Sequence, residues 1–124
     1  MGKFYKEFGL KKVLECGVAE FWEKIKVGDI VQLTLNLEEY NQTDLKEQVG
    51  ALFEFKEKKE VNGAEVVNDV KAVIGVIPEE EGKLIKDFLD MGWNKLFKAV
   101  ISQNDNTKPL ENRFKVAVYI ERFN

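Results

Sequence analysis

Two alternating stretches meet at Asn62-Gly63, a dipeptide whose residues both tolerate the positive φ that a type I′ hairpin turn requires. On its N-terminal side, "VGALFEFKEKKEV" places Val49, Ala51, Phe53 and Phe55 at every second position, the period of a strand with one buried face. On its C-terminal side, "AEVVNDVKAVIGVI" returns antiparallel. The pair predicts a long hairpin with a heavily charged tip, so the chain is built around an antiparallel sheet.

The remaining segments supply partners for that hairpin. "LKKVLECGV" reads as a first strand with Leu14, Cys16 and Val18 on one face, and "AEFWEKI" as a short helical turn carrying Phe21, Trp22 and Ile25. "VGD" turns the chain into "IVQLTLNL", which gives Ile30, Leu33 and Leu35 to a second strand of imperfect period. "PEEEGKLIKDFLDMG" predicts the main helix near 79–91: Pro78 suits its first position, Glu79 to Glu81 complement its N-terminal dipole, and Gly92 suits its left-handed end. Leu84, Ile85, Phe88 and Leu89 form its apolar stripe. "WNKLFKAVIS" reads as a strand, "QNDNTKPLEN" as a loop and "RFKVAVYIERF" as the last strand, with Phe114, Val116, Val118 and Ile120 on one face and Arg113, Lys115, Ala117, Tyr119 and Glu121 on the other. The expected fold is α+β: about six strands in a curled, barrel-like antiparallel sheet, one main helix and a short helical turn, in one domain spanning 1–124.

Charge is unevenly distributed. Residues 1–26 hold six Lys against four Glu and residues 93–124 six Lys or Arg against three acids, whereas 27–92 hold seven bases against fifteen acids. The two ends share a basic surface if they lie side by side. Lys3, Lys6, Lys11 and Lys12 read as a phosphate-contacting arm in that case. The single Cys16 and the lack of an apolar leader in "MGKFYKEFGL" set the expectation of a reducing, cytoplasmic setting, and no apolar run approaches the roughly 20 residues of a bilayer-crossing helix.

Enzyme chemistry has little footing. The chain has no His, and hence neither the commonest general base nor the commonest metal ligand, and it has no Gly-rich phosphate loop. Acidic neighbours such as Glu38-Glu39 do not converge on one point. The expectation is a non-enzymatic binding module without a cofactor.

The order of motifs resembles the HIRAN domain family. It comprises the Gly28-Asp29 turn before "IVQL", the Asn-x-x-Asp element from Asn41 to Asp44, an apolar strand, the "GVIP" step at 75–78 opening a helix, and a closing pair of strands, over roughly residues 12–121. The resemblance implies a small β-barrel with accompanying helices, and a pocket that takes a single-stranded DNA 3′ end through aromatic stacking and polar contacts from the Asn-x-x-Asp region. Asn41 and Asp44 occupy the matching positions. Gln42 and Thr43 stand where Pro and an aromatic are typical, which leaves Tyr40 as the aromatic of that region, and Val76 stands where an aromatic is frequent.

The candidate site therefore comprises Tyr40, Asn41, Asp44, Arg113, Lys115 and Tyr119: polar groups for a terminal sugar and base, a ring to stack a base, and cations for phosphate. Each has a plainer role available. Asn41 and Asp44 suit turn capping, Tyr119 suits packing with its hydroxyl in water, and Trp22 and Trp93 suit packing at helix ends. The expected partner is a single-stranded DNA end. The alternative is a protein partner for a module that keeps the fold without nucleic-acid binding, in which the acidic exterior repels phosphate.

Overall fold

The computed structural model describes residues 3–14, 16, 22–40, 48–93 and 95–121. The hairpin forms where the sequence requires it: Asn62 (φ 52°) and Gly63 (φ 78°) make the turn, and Val61 faces Ala64 across it. Its arms are β3 (Gly50–Val61) and β4 (Ala64–Val76); the other elements are β1 (Lys3–Gly9), β2 (Ile30–Thr34), α1 (Lys83–Asp90), β5 (Phe97–Asn104) and β6 (Phe114–Ile120). Short 3₁₀ turns occupy Trp22–Lys24, Leu37–Tyr40 and Leu110–Asn112. No helix among the described residues is long and apolar enough to cross a membrane.

All pairings are antiparallel and the six strands run in the order β1-β6-β5-β2-β3-β4. The sheet curls without closing into a full ladder. One bridge joins its ends, where Lys11 N–H donates to the Val76 carbonyl and Val76 N–H to the Lys11 carbonyl, both at 2.8 Å. The main core fills the concave side: Phe8, Val31, Leu33, Ala51, Phe53, Ile74, Ile101, Phe114, Val116 and Val118, closed by Ile85 and Leu89 of α1. A smaller cluster of Cys16, Leu37, Leu52, Val73 and Val76 packs on the other side of the hairpin base. Gly50 lets it form, because a Cβ there would collide with Leu37 Cδ2.

Several expectations need correction. The first strand is residues 3–9, not 10–18; Lys11 to Leu14 make the bridge and a turn with Lys12 at φ 60°, and Leu14 is exposed, while Cys16 is buried as expected and Val18 lies outside the described residues. Lys3 and Lys6 accordingly belong to a strand and not to a loose arm. In β2 the buried side chains are Val31 and Leu33, while Ile30 is 63% exposed, because its partner Val100 belongs to the outer face of β5. The helix starts at Lys83, since Pro78 opens a tight turn in which Glu81 and Gly82 N–H both donate to its carbonyl. Ile85 and Leu89 are buried, Phe88 is half-buried with its ring edge-on to Phe97, and Leu84 is exposed. Gly92 ends the helix at φ 87° as expected. Trp93 N–H reaches the Phe88 carbonyl and Gly92 N–H the Leu89 carbonyl, the paired bonds of a Schellman stop, and the Trp93 ring is exposed, not packed in the core.

Candidate binding surface

Strand β6 lies between β1 and β5, so the chain's two basic ends do lie side by side. The register decides what faces outward. Phe4, Tyr119 and Lys98 form one cross-strand row; Glu7, Ala117, Val100 and Ile30 form the next, through the pairs Glu7↔Ala117, Ala117↔Val100 and Val100↔Ile30. A bulge between Phe4 and Lys6 makes this possible: without it, alternation would put Phe4 on the buried side with Phe8. The ring of Tyr119 is half-buried and meets Phe4 edge-on at 5.6 Å, and Phe4 is 55% exposed. Ala117 at the centre is buried beneath its neighbours.

The two cations assigned to this face are already engaged. Lys115 Nζ lies 3.9 Å from Glu7 on β1. Arg113 stands just before β6, with its guanidinium 4.6 Å above the Trp22 ring and Nη2 donating to the Lys108 carbonyl at 3.0 Å. Its Nε and Nη1 are enclosed without a hydrogen-bond partner. Arg113 thus clamps the loop before β6 onto the 3₁₀ turn at Trp22 and turns away from Tyr119's row. In that loop the Asp105 carboxylate accepts from Thr107 Oγ1 at 2.6 Å and Thr107 N–H at 3.0 Å; these bonds, aided by Lys108 and Arg113, hold its pKa below the usual carboxylate value.

Tyr40 is half-buried against the small cluster at the hairpin base, on strands remote in the sheet order from β6. Asn41 and Asp44 lie outside the described residues. Of the six sequence-derived residues, then, the structure brings together Lys115 and Tyr119 on one face, places Arg113 at that strand's entrance, and puts Tyr40 elsewhere. Sequence reasoning missed Phe4, Lys98, Val100 and Ile30. Their signal was the register of β1 and β5 against β6, which no local period reveals.

Clefts among the described residues lie elsewhere. One of about 370 Å³ runs between the end of β2 and the C-terminus of α1, lined by Gln32, Thr34, Asn36 and Asp90 among others; one of about 510 Å³ follows the charged start of α1, lined by Glu79, Glu80, Lys83, Lys86 and Asp87. Neither includes a sequence-derived site residue. Among the described residues no group of three or more Cys, Asp or Glu side chains is placed to hold a metal ion. The fold and surface define an α+β domain with a curled six-stranded sheet and an apolar, aromatic outer face. The chain matches no family model, no curated protein and no solved structure.

Proposed function

We propose that the protein is a non-enzymatic module that binds another protein through the outer face of β1, β6, β5 and β2, in the reducing cytoplasmic setting expected from its lone cysteine. The observation that carries this reading is the apolar run across those strands, from Phe4 and Tyr119 through Ala117 and Val100 to Ile30, with Lys98, Lys115 and Glu7 around it. Aromatic and aliphatic side chains at the centre with charges at the margin are the make-up of a protein contact patch. Pairing of Lys115 with Glu7 and of Arg113 with Trp22 favours this over phosphate binding, because a cation already engaged gains less from a phosphate.

A second reading rests on one observation. The exposed Phe4 ring against Tyr119, beside Lys98, offers a base a stacking surface of the kind single-stranded nucleic-acid binders use. This reading goes with membership of the HIRAN family, which is supported by the Gly28 turn before β2 (φ 95°) and by the "GVIP" step leading from β4 towards α1. One pair of measurements separates the two. A short single-stranded oligonucleotide with a free 3′ hydroxyl, titrated at low salt, should leave the amides of Phe4, Lys98 and Tyr119 unmoved at millimolar concentration, whereas stacking would shift them. Proteins captured from extract by the wild-type chain should be lost with Ile30→Glu and kept with Lys83→Glu on α1; retention by Ile30→Glu would overturn the protein-binding reading.

A further inference from the structure

Beyond Phe55 and Val70, β3 and β4 leave the body as a free two-stranded ribbon, exposed along nearly all its length. Its main-chain edges differ. By the alternation of an antiparallel ladder, Val61 and Ala64 bond each other across the turn, so the polar groups of every second residue back from it point outward. On β3 one of these, the Lys56 carbonyl, is covered by Lys24 Nζ at 3.4 Å. On β4, the last strand of the sheet, the outward groups belong to Glu65, Val67, Asp69 and Lys71; among the described residues nothing pairs with them, and the edge is next occupied at Val76 by Lys11.

We propose that this edge pairs with the same edge of a second copy, antiparallel about a two-fold axis at Asn68. Such an axis makes the contact isologous and closed, and puts residues whose numbers sum to 136 opposite one another. Glu65 then faces Lys71 of the second copy and Lys71 faces its Glu65, each pair exchanging both main-chain hydrogen bonds. On the other face of the ribbon, Val66 faces Val70 of the second copy. Val70 lies opposite Phe55 and Val66 opposite Lys59 within each ribbon, so the pairing lays the exposed Val66 of one copy against the half-buried Val70 of the other.

Charge and length exclude the neighbouring registers. An axis at Val67 sets Glu65 against Asp69 twice, and an axis at Asp69 sets that carboxylate against itself. An axis at Val70 brings the incoming Ala64 opposite Val76, where the edge is taken by Lys11. With Asn68 on the axis, Ala64 of the incoming ribbon stops opposite Ala72, short of that bridge. A foreign strand could use the same open edge, but Glu65 and Lys71 complement each other in this segment's own reversed sequence, with Asp69 opposite the uncharged Val67, which is the reason to assign the site to a second copy.

The test is sedimentation of the full chain at increasing concentration, with folding of each variant checked by circular dichroism. The wild type should dimerise. Glu65→Lys and Lys71→Glu, each of which sets like charges face to face, should each weaken the dimer about tenfold or more. An equimolar mixture of the two variants restores both opposite-charge pairs and should associate. Asn68→Cys should cross-link under mild oxidation, since the residue on the axis faces itself at a distance a disulfide spans, whereas Val66→Cys should not. A wild type that stays monomeric at high concentration, whether or not its edge takes a foreign strand, overturns the proposal. So do variants that associate as well as the wild type, or a mixture that fails to associate when the wild type does.

Discussion

Single atoms decide more of this structure than composition does. Gly50 sits between β2 and β4 where the Leu37 side chain presses against the backbone, and Leu37 is itself fully buried and has no room to retreat. Gly50→Ala should therefore cost about 1–3 kcal/mol despite the better strand propensity of alanine, measured as a drop in urea midpoint at unchanged slope. Arg113 teaches the opposite lesson: its position before an alternating strand marked it as a surface cation, and the Trp22 ring made it a clamp. At Asp105, the bonds from Thr107 depress the carboxyl pKa in the folded state. Any stability it contributes is thus present above its unfolded pKa and fades as pH falls through the lower, folded one. An NMR titration should find Asp105 titrating below the ordinary aspartate value, and Thr107→Val should raise its midpoint towards that value.

Elements with strong local chemistry were legible in the sequence, and those that depend on a neighbour were not. The hairpin turn, the alternation of Val49, Ala51 and Phe53 into the main core and the Gly92 helix stop followed from φ preferences and period, whereas the burial of Leu52 on the opposite face, against Leu37 and Val73, did not. β1 was hidden because the bulge at its start breaks the period and its Lys and Glu side chains look like a solvated terminus; it is a strand because β6 pairs with it. In α1, the eight residues bury Ile85 and Leu89 but only half of Phe88, so the stripe is narrower than its sequence suggests. Ile85→Ala should cost about 2–5 kcal/mol and Leu84→Ala less than about 1 kcal/mol, a contrast that chemical denaturation resolves. The outer ribbon adds little to the core. Deleting 56–61 and 64–69, so that Asn62-Gly63 joins Phe55 directly to its partner Val70, should leave a cooperatively folded protein with a melting temperature within a few degrees of the wild type at concentrations where the wild type is monomeric, read by calorimetry.

At the scale of the molecule, the class was readable because it follows from counting alternating segments, while the binding face was not, since it is assembled from Phe4, Ile30, Val100 and Tyr119 on four different strands. Among the described residues, one narrow link, the Lys11–Val76 bridge, joins the ends of the curled sheet. Lys11→Pro would remove the N–H that donates to Val76, and amide exchange at Val76 should then accelerate along with that of neighbouring β4 groups. The pairing of β1 with β6 also bears on how the chain is made. β1 leaves the ribosome well before β6, and at about 5–20 residues per second the early strand waits several seconds for the strand it pairs with. Throughout that wait its edges are open to other nascent chains. Lys3, Lys6 and Glu7 lie exposed along this short aromatic segment, and charges so placed oppose edge-to-edge pairing in a chain that has not yet folded.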